Sequence, residues 1–285
     1  MNGVISKLEI YDLATSSHKI VKEFPYLIEA PNWSPDGKWF VFNSNGRLYR
    51  LAVDGKSEPE LIESGIAQKC NNDHVISSDG KHIAVSHHTA EDGNSRIYVL
   101  PFEGGDAKCV TPNGPSYLHG WSPDMKSMAY CAFRGNAHVV HTMNLESGIE
   151  TAHTLGEEGL SDGPEYSPEG KYIWFNWVKT GLMQVWRMRA DGSEQTQMTF
   201  DEDLNSWFPH ISPDSKWVVF VAYHKGDLKP DEHLPNKNVV LRLMAAEGGV
   251  PKTIVELFGG QGTINVNSWS PDSKQFAYVS YELKK

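Results

Sequence analysis

The chain has 285 residues, 39% of them hydrophobic and 22% charged, with a formal net charge of −10. That length and balance suit a globular protein of one large all-β domain or two ordinary ones. The negative balance, with no lysine- or arginine-rich run, excludes a broad phosphate-binding face and attraction to anionic lipid, so neither nucleic acid nor a membrane is an expected partner.

The opening "MNGVISKLEIYDLATSSHKI" has no basic start, apolar core and small-residue cleavage site in succession, and no stretch approaches the roughly 20 apolar residues of a membrane span. The expected location is the cytoplasm. The three cysteines, Cys70, Cys109 and Cys131, form no zinc spacing. They are expected as buried small hydrophobes in a reducing compartment.

In chain order, the first elements are two strands, "SKLEIYDL" and "HKIVKEF". One kind of phrase then recurs: "NWSPDGKWFVF" from Asn32, "VISSDGKHIAV" from Val75, "GWSPDMKSMAY" from Gly120, "EYSPEGKYIWF" from Glu165, "HISPDSKWVVF" from His210 and "SWSPDSKQFAY" from Ser268. The serines, Ser34, Ser77, Ser122, Ser167, Ser212 and Ser270, lie 43, 45, 45, 45 and 58 residues apart. Repeats of that period, each with several short strands, mark propeller blades. Pro presets φ for a turn, Asp hydrogen-bonds its own backbone, and Gly or Ser follows where φ turns positive. The apolar run after the turn reads as a strand buried between layers. "RLYRLAV", "RIYVLPF", "AHVVHTM", "MQVWRMR" and "VVLRLMA" supply further strands.

Strand A is therefore placed before each turn, B after it, and C and D further out. The last repeat stops after B, at "QFAYVSYELKK", and the opening pair of strands supplies its missing C and D. The prediction is an all-β, six-bladed β-propeller with four antiparallel strands per blade, one domain over residues 1–285. Its last blade is closed by strands from both termini (1–25 and 264–285), which removes exposed sheet edges. Blade five carries about 13 extra residues, assigned to the B-to-C loop "YHKGDLKPDEHLPNK", residues 223–237. A loop of that length in a compact fold is expected to be functional, here as a lid.

The repeated "WSPDGK" blades resemble the TolB-type propeller repeat, which is related to the propellers of prolyl oligopeptidases and oligogalacturonate lyase. The resemblance covers essentially the whole chain. It implies one of two functions. TolB-type domains hold a partner segment that enters the central channel. Oligogalacturonate lyases hold manganese with three histidines and a glutamine and use an arginine as base.

Alternating strand direction puts the D-to-A connections and the B-to-C loops on one face, called here the top. Strand A is innermost, so the varied residues before each turn converge on a central mouth. They include Asn72, Asp73 and His74; Tyr117 and His119; Asp162 and Glu165; Trp207 and His210; and Gln261, Asn265 and Asn267. The candidate metal ligands are His74, His119, His210 and Gln261, a mix that suits Mn, Zn, Fe or Ni. The candidate catalytic groups are Glu165, Asp73 and Arg134, the first two as general acid or base and Arg134 as base. Asn72, Asp162, Trp207, Asn267 and the lid residues His224 and His233 are candidate substrate contacts. The bland alternatives are histidines that tie blades together and carboxylates that cap turns. Trp33, Trp121 and Trp269 recur at one blade position and read as core. Ser161 in "GLSDG" lacks the strand–turn–helix setting of a nucleophile. The expected function is a metal-assisted lyase or hydrolase acting on a small polar substrate, with sugar-derived compounds among the candidates. The alternative is a scaffold that binds a protein or peptide on the top face.

Overall fold

The repeated serine is the organising atom of every blade. Its hydroxyl accepts a hydrogen bond from the backbone N–H five residues on, at Trp39, His82, Ser127, Tyr172, Trp217 and Gln275, over 2.8–3.0 Å. In five blades it also donates to the turn Asp, at 2.6–2.7 Å. The residue after that acid has positive φ in all six, Gly37, Gly80, Met125, Gly170, Ser215 and Ser273. The hydroxyl bonds hold a left-handed turn even where glycine is absent.

The computed structural model describes residues 3–135 and 137–284. It is a six-bladed propeller of antiparallel strands. Two strands open the chain, β1 (Val4–Asp12) and β2 (Ser17–Phe24). Blade one is β3 (Glu29–Trp33), β4 (Trp39–Ser44), β5 (Arg47–Ala52) and β6 (Glu60–Ile62). Blade two is β7 (Cys70–Ile76), β8 (His82–His88), β9 (Ser95–Pro101) and β10 (Lys108–Cys109). Blade three is β11 (Ser116–Trp121), β12 (Ser127–Phe133), β13 (His138–Asn144) and β14 (Glu150–Ala152). Blade four is β15 (Ser161–Tyr166), β16 (Tyr172–Trp177), β17 (Gln184–Arg189) and β18 (Thr196–Gln197). Blade five is β19 (Leu204–Ile211), β20 (Trp217–His224), β21 (Pro235–Ala245) and β22 (Lys252–Gly260). Blade six joins β23 (Gln275–Leu283) to β1 and β2, so strands from the two ends of the chain close the ring. Its innermost strand is reduced to one bridge, Trp269 to Phe276.

The core runs between blades. Phe24, Trp33, Phe40, Phe42 and Val279 join blades six and one; Trp207, Val219, Trp269, Phe276 and Tyr278 join blades five and six. Trp121, expected as core, is half-buried. Cys70 and Cys131 are buried, but Cys109 is exposed, because β10 is a two-residue outer strand with no further strand to cover it. Blade five's extra residues are shared between a turn at 225–234 and the lengthened β21 and β22, so the lid itself is shorter than expected.

Each innermost strand of blades one to five breaks register, between Glu29 and Asn32, Cys70 and His74, Leu118 and Gly120, Asp162 and Glu165, and Trp207 and His210. In three of these bulges a residue takes positive φ: Ala30 (55°), Gly163 (63°) and Phe208 (55°). A bulge re-aims the side chains around it. This feature sorts the polar residues before each turn into two sets.

Candidate functional site

The first set lines a cavity of about 270 Å³ at the top-face mouth, formed by Asn71, Asp73, Tyr117, His119, Cys131, His138, Leu160, Asp162, Phe208, His233, Gln261 and Asn265. Strand starts from blades two to five, the D-to-A connection of blade six and the blade-five loop meet there. A second depression of about 810 Å³, lined by Glu29, Asn43, Asn45, Asn72 and Tyr49 among others, shares Asn71 and Gln261 with it.

Inside the cavity, His119 Nε2 lies 3.0 Å from Asp162 Oδ1, which also accepts the Gly163 N–H at 2.8 Å. His119 stacks on Phe208 at 5.6 Å between ring centroids. Phe208 presents its ring there from left-handed backbone fixed by its own N–H donating to Asn176 Oδ1 at 2.9 Å. His233, from the blade-five loop, packs on Trp207 at 4.4 Å and edge-on to Phe208 at 5.2 Å. Its Nε2 is 3.8 Å from Asp162 Oδ2. Across the cavity, Asp73 accepts from Asn71 Nδ2 at 2.5 Å and from Asn265 Nδ2 at 2.6 Å.

Burial sets the electrostatics. It works against charge on His119, but the charge and hydrogen bond of Asp162 overcome it and raise the imidazole above its ordinary value. Burial likewise opposes ionisation of Asp162, yet His119, His233 and the Gly163 N–H hold it well below the usual carboxylate range. Asp73 is pushed up, first by burial and further by the charge of Asp162, against the opposing pull of His119. Burial lowers His233. Burial also lifts the Cys131 thiol well above its ordinary value, so it lines the wall as a neutral group.

The second set ties blades together. Glu165 accepts from the Ile211 N–H at 3.0 Å and from Asn267 Nδ2 at 2.6 Å, and its other oxygen meets His210 Nδ1 at 2.7 Å. His210 Nε2 bonds the Ile264 carbonyl at 2.7 Å. Asn32 makes the same kind of link three repeats earlier, its Oδ1 accepting from the Ile76 N–H at 2.7 Å. Asn32, Glu165 and His210 all stand two residues before a repeat serine, and Ile76 and Ile211 one residue before. The bland reading of these residues therefore describes them.

Of the sequence-predicted residues, His119, Asp73, Asp162, His233 and Gln261 are brought together in the cavity. Asn72 lines the neighbouring depression, and Trp207 supports the cavity from behind, fully buried. Glu165, His210 and Asn267 belong to the interblade ties. His74 is fully buried, with neither ring nitrogen hydrogen-bonded, and does not line the cavity. His224 is exposed at the end of β20. Arg134 is turned away to blade three, where Glu150 takes its Nε and Nη2 at 2.8 Å and the Pro115 carbonyl takes Nη1. The expected metal set is thus not assembled: both His210 nitrogens are spent and His74 is elsewhere. Among the described residues no group of three or more His, Cys, Asp or Glu side chains is arranged to hold an ion. Ser161 is buried against Thr154 and the Val140 N–H, as a structural hydroxyl.

Sequence reasoning passed over Asn71, His138 and Leu160 as site residues, and it named Asn265 at the mouth without giving it a role. Asn71 and Asn265 had a signal, polar side chains in the D-to-A connections. His138 had only its place at the start of strand C.

A six-bladed propeller with a polar mouth is the class that fold and site define. Residues 2–158 match the family model of the TolB beta propeller domain, and the chain belongs to that family. An uncharacterized protein of Agrobacterium fabrum is 48% identical over 276 residues, 97% of this chain and 92% of that protein. A TolB-type structure from Agrobacterium tumefaciens superposes with a TM-score of 0.93 at 47% identity, over 98% of this chain and 99% of that one. TolB from Acinetobacter baumannii shares the fold, with a TM-score of 0.69 at 19% identity over 91% of this chain and 65% of that one.

Proposed function

We propose that the chain is a binding propeller whose top face receives a polar segment of a partner protein. The observation that carries this is that the two depressions lie side by side and share Asn71 and Gln261 in their walls. Joined, they would make a channel across the mouth walled by Asn43, Asn45, Asn71, Asn72, Gln261 and Asn265. Side-chain amides both donate and accept, which suits a peptide backbone. Phe208, Tyr117 and Leu160 add apolar wall at one end. Membership of the TolB propeller family supports the same reading, since TolB-type propellers hold partner segments in this region.

The test is a peptide-display selection on the wild-type chain, repeated on Gln261→Trp, which fills the junction of the two depressions. A convergent peptide family whose affinity falls at least about tenfold, or about 1.4 kcal/mol, on that substitution is expected. No convergent family, or binding indifferent to the substitution, overturns the reading.

One observation favours an acid–base enzyme as a second reading. Asp73 is shifted up and Asp162 down within one cavity, the pattern that separates an acid from a base. That enzyme would be a hydrolase or lyase working on a small polar substrate without the metal set. Turnover of uronate oligosaccharides or activated esters that disappears in Asp73→Asn would establish it.

A further inference from the structure

The wall of the cavity around Asp73 and Asp162 gathers acceptors: two carboxylates and the Asn265 side-chain oxygen. Both amide nitrogens that face Asp73, those of Asn71 and Asn265, are spent on its carboxylate. Asn265 is 2% exposed, and its Oδ1 has no hydrogen-bond partner although the residue lines the cavity. A buried acceptor left empty loses its hydration with nothing in return. His233 Nε2 lies 3.8 Å from Asp162 Oδ2, beyond hydrogen-bond reach. Two carboxylates, Asp73 and Asp162, face one another's field, with the His119 imidazole paired to Asp162, and Arg134 is committed to Glu150 in blade three.

We propose that this cavity is a receptor for a primary ammonium group, which would donate to Asn265 Oδ1, Asp162 Oδ2 and Asp73. An ammonium carries three donors and no acceptor, the complement of the Asn265 oxygen and the two carboxylates. A compact cation suits a cavity of this volume, and its flat apolar side, Phe208 and Leu160, takes the attached methylenes. The proposal deepens the reading of the mouth as a segment-binding channel, by assigning the group that anchors the segment. The ammonium comes either from a lysine side chain or from a chain's amino terminus.

The probe is n-butylammonium, followed through the imidazole resonances of His119 and His233, with n-butanol and butyrate as neutral and anionic counterparts. The expected result is a saturable shift with butylammonium alone, weakened at least about tenfold in Asp162→Asn and in Asp73→Asn. Two carboxylate variants are used so that loss of fold in one leaves the other to decide. Butanol or butyrate acting equally well, no saturable shift, or undiminished affinity in a folded variant would overturn the proposal. Two peptides then distinguish the sources: one with a free amino terminus and no lysine, the other N-acetylated with one lysine. The outcomes separate the two readings. If butylammonium binds but display selects no peptide, the channel reading fails and the ammonium site stands. Selected peptides without any response to butylammonium give the reverse.

Discussion

His74 shows what one buried side chain does to the pH response of the whole ring. Burial holds its imidazole neutral, down to about 3, and neither nitrogen finds a partner. In the unfolded chain the same ring takes a proton near 6.5. Its contribution to stability is complete above that value and is lost as pH falls from 6.5 toward 3, at about 1.4 kcal/mol per pH unit. His119 runs the other way: raised by Asp162, it stabilises below 6.5, and that contribution goes as pH rises through its folded value. We expect His74→Leu to flatten the acid limb. Urea unfolding at pH 7 and pH 5 should show the wild type losing about 2 kcal/mol more than the variant. A parallel pair of losses would show that another group carries the acid limb. These two histidines stand at equivalent positions three before a serine, and the sequence offers nothing to tell them apart. One faces a carboxylate and the cavity, the other a closed interior, because their strands bulge at different residues. Asp73, Asp162 and Gln261 were legible as mouth residues; Glu165, His210 and Asn267 were polar at the right place and still turned to their neighbours' backbones.

Strands, turns and repeats were the most legible features, because each Ser-Pro-Asp turn is specified within six residues by its own hydroxyl, carboxylate and positive-φ site. The bulges were not legible, since they arise where neighbouring blades compete for the same backbone groups. Gly163 is the clearest case. Its φ is +63°, and an added Cβ would come 2.6 Å from Asn176 Oδ1 and 3.0 Å from the Phe208 ring. That asparagine oxygen also fixes the Phe208 backbone, so alanine here presses on the bulge that aims the ring into the cavity. Gly163→Ala should cost about 2–3 kcal/mol, and it should weaken ligand binding as Phe208 moves. Gly170→Ala supplies the control: φ is +72°, but nothing lies closer than 3.6 Å to the added carbon. It should cost only the backbone preference, about 1 kcal/mol. Denaturant unfolding of both variants checks the difference; equal losses would mean the contact with Asn176 relaxes freely. The blade-five loop divides in the same way. Its length was readable, but the packing of His233 on Trp207 and Phe208 at the cavity depends on how far β21 extends.

The ring as a whole is held shut by one seam, since β1 and β2 come from one end of the chain and β23 from the other. This was legible by counting strands in the first and last repeats. Gly3 and Lys284 are already hydrogen-bonded, the Lys284 N–H donating to the Gly3 carbonyl at 2.6 Å. A circular permutant with the two ends linked and the chain opened at Gly181, a turn residue with free space around it, should therefore fold. Its Tm should stay within about 5 °C of the parent by calorimetry, whereas removing residues 3–24 should abolish the cooperative transition. Failure of the permutant would mean that blade six must assemble from separate ends. The register of that seam has a mechanical side. Val4 lies opposite Leu283 and Asp12 opposite Gln275, so whatever is tethered to the two ends pulls at the same edge of a nine-rung ladder. Tension between the tethers peels the rungs one after another instead of shearing them together. A load applied through the ends would thus unzip the ring at low force, while a push or twist on its faces meets no such weak direction.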